Sequence, residues 1–208
     1  MNKLQIAKNI NTLAGTQGVI DTTENVTGYQ SVLILLLDQA YTEIQKYRAE
    51  WKFMKKLVQA PLNVSLNTYS NTDISKIDRV VDQVAYKELK EIPYEKWIMS
   101  EHSITGPPIE WTKHETNDTY TFTPPDDTYL VDIYYWSIPD VMTENSSIPV
   151  LPVEFHNLIV YKALVGLGSY LGNFDLTHEY SYQYDVMMGQ MMRSELESKQ
   201  VKTLGWVI

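Results

Sequence analysis

The chain has 208 residues, 44% of them hydrophobic and 21% charged, enough to bury a real core in one domain with a large insertion. Its formal charge of -9 argues against a nucleic-acid grip, which needs clustered Lys and Arg to displace counterions from phosphates. The absence of cysteine excludes disulfides, thiolate metal sites and thiol nucleophiles, and suits a reducing compartment. Tyrosine, at 15 residues, is frequent, which leans towards half-buried strands and interfaces.

Residues 3–14 read as a short amphipathic helix with Leu4, Ile6, Ile10 and Leu13 inward, closed by Gly15 and Gly18. No signal-peptide core opens the chain, and the longest apolar run, Val32 to Leu37, is too short to span a membrane, so a soluble protein made and kept on the cytosolic side is expected. After a polar loop, Gly28 to Val58 carries Leu33, Leu37, Ala40, Ile44, Tyr47, Trp51, Met54 and Val58 at alternating spacings of four and three. That period predicts one long helix, stopped by Pro61, as the spine around which the chain is organised.

From Pro61 the period changes. Leu62, Val64 and Leu66 alternate with polar residues as a strand does, and Ile77 to Tyr86 reads as a second strand, with a helix as the alternative. Tyr94 to Ser100, behind Pro93, reads as a turn or two of helix anchored by Trp97. Ile109–Lys113 and Thr119–Thr123 flank Asn117-Asp118, a hairpin signal. Tyr129 to Trp136 is apolar on both faces, which predicts a central strand.

Ser146 to Pro152 is a proline-punctuated connector. A helix then runs through Phe155, Leu158, Ile159 and Ala163 to Gly172-Asn173, with small Ala163, Gly166 and Gly168 allowing close approach of a neighbour. A last helix spans about Leu176 to Ser198, with Tyr180, Tyr184, Met187, Met188, Met191 and Leu196 inward. The expected fold is α+β: an α-helical bundle from both chain ends (1–60 and 150–200), an inserted antiparallel β-rich region (61–149) and a tail (201–208).

No phosphate loop, GxSxG or HExxH is present. The four histidines stand at no metal-ligand spacing, and His156, in a first helical turn, reads as a capping or packing residue. Glu110 and Asp132 are the best available carboxylate pair, yet nothing orients them across a cleft. The expectation is a protein with no catalytic site, no cofactor and no metal. Charge is uneven: residues 101–150 hold nine acidic residues against the single Lys113, which reads as a solvated acidic sheet in one copy and, in a ring of copies, as an acidic surface that would repel DNA or meet a basic partner.

The chain resembles the head-to-tail adaptor (connector, or head-completion) proteins of tailed bacteriophages. The likeness lies in EIQKYRAEWKFM (Glu43 to Met54), GPP (Gly106 to Pro108), FTPPDDTYLVDIYYWSIP (Phe122 to Pro139), IPVLPVEFHNLIVYKAL (Ile148 to Leu164) and an acidic-aromatic final helix. The resemblance implies a virion component: a homo-oligomeric ring, expected to be dodecameric, beneath the portal protein. It would extend the channel through which double-stranded DNA passes without specific binding, and offer a docking platform to a downstream tail or tail-tube protein.

It also implies a portal-contact arm, here Thr203, Leu204, Trp206, Val207 and Ile208, and a tail-facing β element, here Lys113, Glu115, Asn117 and Asp118. A ring needs unlike side faces, and Lys52, Lys55 and Lys56 of the spine are candidates to meet Glu195 and Glu197 of a neighbouring copy. The alternatives are a tail-completion or tail-tube protein and a virion-associated hydrolase.

Overall fold

A computed structural model describes residues 1–16, 18–48, 50–100, 105–115 and 117–196. It contains helices with antiparallel and mixed sheets, an α+β chain, and divides into two compact units. One holds Met1–Phe53 and the described residues from Pro139 on; the other holds Met54–Ile138.

The first unit is helical. Helix α1 (Lys3–Leu13) opens with a capping box in which the Asn2 side chain accepts from Gln5 N and Gln5 reaches back to Asn2 N. Helix α2 (Tyr29–Lys46) buries Leu33, Ile34, Leu37, Ala40, Tyr41 and Ile44. Helix α4 (His156–Leu171) contacts α1, α2 and α5 (Phe174–Glu195), and its Leu158, Ile159, Val160, Ala163, Leu164 and Leu167 are buried. A helix apolar on most sides is a core helix. The centre of this unit is therefore α4, not the expected spine.

The spine expectation is corrected here. The helix over Gly28–Val58 ends at Lys46, and only the first half of the stripe is helical. Trp51 is fully buried and donates from Nε1 to Ile44 O at 3.2 Å, folding the chain back on the helix end. Lys52–Met54 is a short 3₁₀ turn, and Val58 lies in strand β1 (Lys55–Leu62).

The second unit is β-rich. Strand β8 (Tyr129–Ser137) is central, as its two apolar faces predict: it pairs antiparallel with β1 (Lys55↔Trp136 through Leu62↔Tyr129) and with β3 (Ile74–Asp82), beside which lies β4 (Lys87–Glu88). The second sheet runs β2 (Thr68–Ser70), β7 (Thr119–Phe122), β6 (Glu110–Lys113) and β5 (Lys90–Glu91), with α3 (Tyr94–Met99) between β5 and β6. The β5–β6 pair is parallel, so the region is not wholly antiparallel.

Ala60, Leu62, Val80, Val131 and Ile133 of the first sheet share a core with Trp111, Tyr120 and Phe122 of the second. The strand expected at Leu62–Leu66 is displaced: Asn63 and Leu66 close a tight turn, leaving Val64 exposed. Pro61, read as a helix stop, sits in β1, an edge strand where one missing N–H is tolerated.

Candidate contact surfaces

Three polar knots fix the helical unit. Lys3 is almost fully buried, pairs with both Asp38 oxygens at 3.0 Å and donates to Met142 O at 2.8 Å. Burial raises the Asp38 pKa, and the Lys3 contact opposes that rise. Tyr41 donates to Asp140 Oδ2 at 3.2 Å and accepts from Val150 N at 3.0 Å, while the buried Gln45 accepts from Asp140 N (2.8 Å) and donates to Asp140 O (3.0 Å). The segment between Pro139 and Pro152, of which Ser146 to Pro152 reads from sequence as a connector, is thus stitched to α1 and α2. Lys3 and Gln45 were not singled out from sequence; their one signal was a polar residue within the buried side of an amphipathic helix.

The third knot is His156. It is fully buried; Nδ1 accepts from the Met1 nitrogen at 2.7 Å and Nε2 donates to Leu151 O at 3.0 Å, a neutral imidazole with both nitrogens occupied. Desolvation lowers its pKa, in keeping with a packing role.

The basic residues predicted on the spine lie elsewhere. Lys52 Nζ donates to Ser194 O at 2.6 Å, beside the Trp51–Leu196 bridge. Lys55 and Lys56 belong to β1, in the other unit, and pair with Asp78 (2.8 Å) and Asp73 (2.9 Å); Asp73 also accepts from Tyr135 Oη at 3.1 Å. Glu195 is the last residue of α5, and Glu197 lies outside the described residues. So do Thr203, Leu204, Trp206, Val207 and Ile208, the expected arm.

The β6–β7 hairpin forms as predicted, with Trp111↔Phe122 and Lys113↔Tyr120 in register. At its tip Lys113 Nζ lies 3.3 Å from Asp118 Oδ1, Asn117 Oδ1 accepts from Thr119 N, and Asp118 O accepts from Asn71 N. Glu115 is exposed beside them. His114 leans on Tyr94 with ring centroids 4.8 Å apart and bonds Thr121 Oγ1, so α3 buttresses the hairpin base. The described residues of the tip are polar.

Glu110 and Asp132 are not brought together as a catalytic pair. Glu110 lies on β6, 3.9 Å from Lys90, while Asp132 lies on β8 in the other sheet and accepts from Gln59 and Gln83 at 3.2 and 2.6 Å. Among the described residues no group of His, Asp and Glu is placed to hold a metal ion, and no helix is long and apolar enough to cross a membrane.

The outer surface of the helical unit is more informative. Phe174, His178, Tyr182 and Val186 recur every fourth residue along α5 and are all exposed, with Phe174 84% and Tyr182 71% accessible. On the inward side, Tyr184 packs under Lys162, whose Nζ is 5.4 Å from the ring centroid and 3.0 Å from Glu43. Burial, with Tyr47 and Glu43 nearby, pushes the Tyr184 hydroxyl up to about 12. This sector ties α2, α4 and α5 together; the opposite one has no partner among the described residues.

No curated protein matches the chain. A family model described as SU10 adaptor protein matches residues 1–203, which takes in both units from α1 to beyond α5. The chain therefore belongs to the SU10 adaptor protein family, whose members are structural phage adaptors of the head–tail junction.

Proposed function

We propose that this adaptor forms a ring, dodecameric as its resemblance implies, between the portal and the tail. The helical unit is its wall, the ring extends the DNA channel, and the β unit is the platform for the next tail component. The family match over residues 1–203 carries the reading. Two features support it. Each unit has its own buried residues and so can present its own surface, and Lys113, Glu115, Asn117 and Asp118 present exposed polar and charged groups at the end of the paired strands of the hairpin. A chain of charge -9 also suits a channel that must let DNA pass without holding it. The matched span ends at Thr203, where the proposed portal arm begins.

Imaging of particles labelled on this chain, with copies counted by mass, tests the proposal. Density between portal and tail at about twelve copies is expected. Six copies along the tail, or a single copy, would overturn it. Deleting residues 203–208 is expected to leave the chain folded and to weaken portal attachment; unchanged attachment would remove the arm.

A further inference from the structure

We infer that the outward face of α5 is the seat for a second copy of this chain, which docks onto it with the end of its α2. This rests on the ring reading for the existence of neighbouring copies, and specifies which surfaces meet.

Phe174, His178, Tyr182 and Val186 make an exposed stripe along α5, and Tyr170 near the end of α4 is also 62% exposed. At 100° per residue Asp175, Glu179 and Asp185 fall within the same sector. The face is therefore aromatic and acidic. A run of large apolar groups this exposed on one helix marks an interaction surface.

The complementary surface lies on the same unit. At the end of α2, Tyr47 is 52% exposed, with Arg48 Cζ 5.7 Å from its ring centroid and exposed Lys46 beside it. Neither Lys46 nor Arg48 forms an ion pair among the described residues. This patch is aromatic and basic, and it matches the α5 face in kind and opposes it in charge. Tyr47 stands near Tyr184, about 200° around α5 from Tyr182, so the two patches sit on opposite sides of that helix.

Complementary patches on opposite sides make a head-to-tail contact, which repeats from copy to copy. Pairing α5 with α5 would instead set Asp175, Glu179 and Asp185 against themselves, which like-charge repulsion disfavours. The charges that join neighbours are thus Lys46 and Arg48 with Asp175, Glu179 and Asp185.

The chain lacks cysteine, so introduced thiols have no native thiol of this chain to pair with, and the size of each covalent product identifies links between copies. Particles carrying Lys46→Cys with Glu179→Cys, oxidised and run on a non-reducing gel, are expected to give a ladder of covalent oligomers. Either single variant is expected to give none. Adding Phe174→Glu, at a position too exposed to matter for folding, is expected to reduce the ladder by about tenfold.

A covalent dimer from Glu179→Cys alone would overturn the head-to-tail geometry. Many copies per particle with no ladder would overturn the choice of surfaces while leaving the ring intact. One copy per particle would overturn the ring reading, and this inference with it.

Discussion

His156 illustrates how one residue couples stability to pH. In the folded chain its imidazole is buried and neutral, with a pKa below the ordinary histidine value because burial penalises the charged form. The unfolded chain takes up a proton near pH 6.5, before the folded one does. Stability contributed by the neutral ring is therefore intact above that pH and is lost as pH falls towards the lowered folded value. Denaturant midpoints are expected to decline from pH 7.5 to 5.5. His156→Phe is expected to flatten that decline while lowering stability at pH 7.5 by about 1–3 kcal/mol, since Leu151 O and the Met1 nitrogen lose their partner. An unchanged slope in the variant would assign the pH response to other groups. The helical position of His156 was readable from the chain. Its two partners were not, because Met1 and Leu151 reach it through tertiary packing.

Periodicity was reliable within elements and failed at a boundary. The stripe from Leu33 to Ile44 is a helix face, but Trp51, Met54 and Val58 continue the same spacing for unrelated reasons. Trp51 caps the helix end, Met54 is buried in a 3₁₀ turn, and Val58 packs in a strand paired with Ile133. Local spacing carries no information about β8, whose pairing decides the matter. The small residues of α4 read better. An added Cβ at Gly168 would lie 2.5 Å from Thr177 Oγ1, 2.9 Å from Thr177 N and 3.1 Å from Asn173 O. These are the first turn and cap of α5, and backbone atoms cannot yield without shifting the helix pair. Gly168→Ala is expected to cost about 1–3 kcal/mol despite alanine's better helix propensity. At Gly166 the added Cβ meets Leu36 Cδ2 at 3.0 Å, the end of a half-buried side chain that can rotate. Gly166→Ala is expected to stay within about 1 kcal/mol of the parent or exceed it. Thermal melts of the two variants separate the cases; equal losses would mean that the α4–α5 approach is looser than its geometry.

At the scale of the molecule, the question is whether the units fold as units. The change of period from helical to alternating spacing made the order of elements along the chain legible, and the mixed sheet order was not, since β5 pairs parallel with β6 across α3. The β unit owns its core, from Ala60 and Ile133 to Trp111 and Phe122, and its two ends are neighbours because Lys55 and Trp136 are register partners. Paired strands hold these residues about 5 Å apart, so cutting at Met54 and Ile138 opens no gap in either sheet. A fragment of residues 54–138 exceeds the size of about 60 residues at which single domains become marginal. It is expected to melt in one cooperative transition, with Trp111 shielded from solvent and dispersed amide resonances. In the reciprocal chain a short flexible linker joins Phe53 to Pro139, and α1, α2, α4 and α5 are expected to keep their helical signal. A fragment that binds hydrophobic dye and melts without cooperativity would show that the β unit draws its stability from the rest of the chain. In that case the hairpin tip is not an independent docking platform, and its proposed part in tail attachment falls with it.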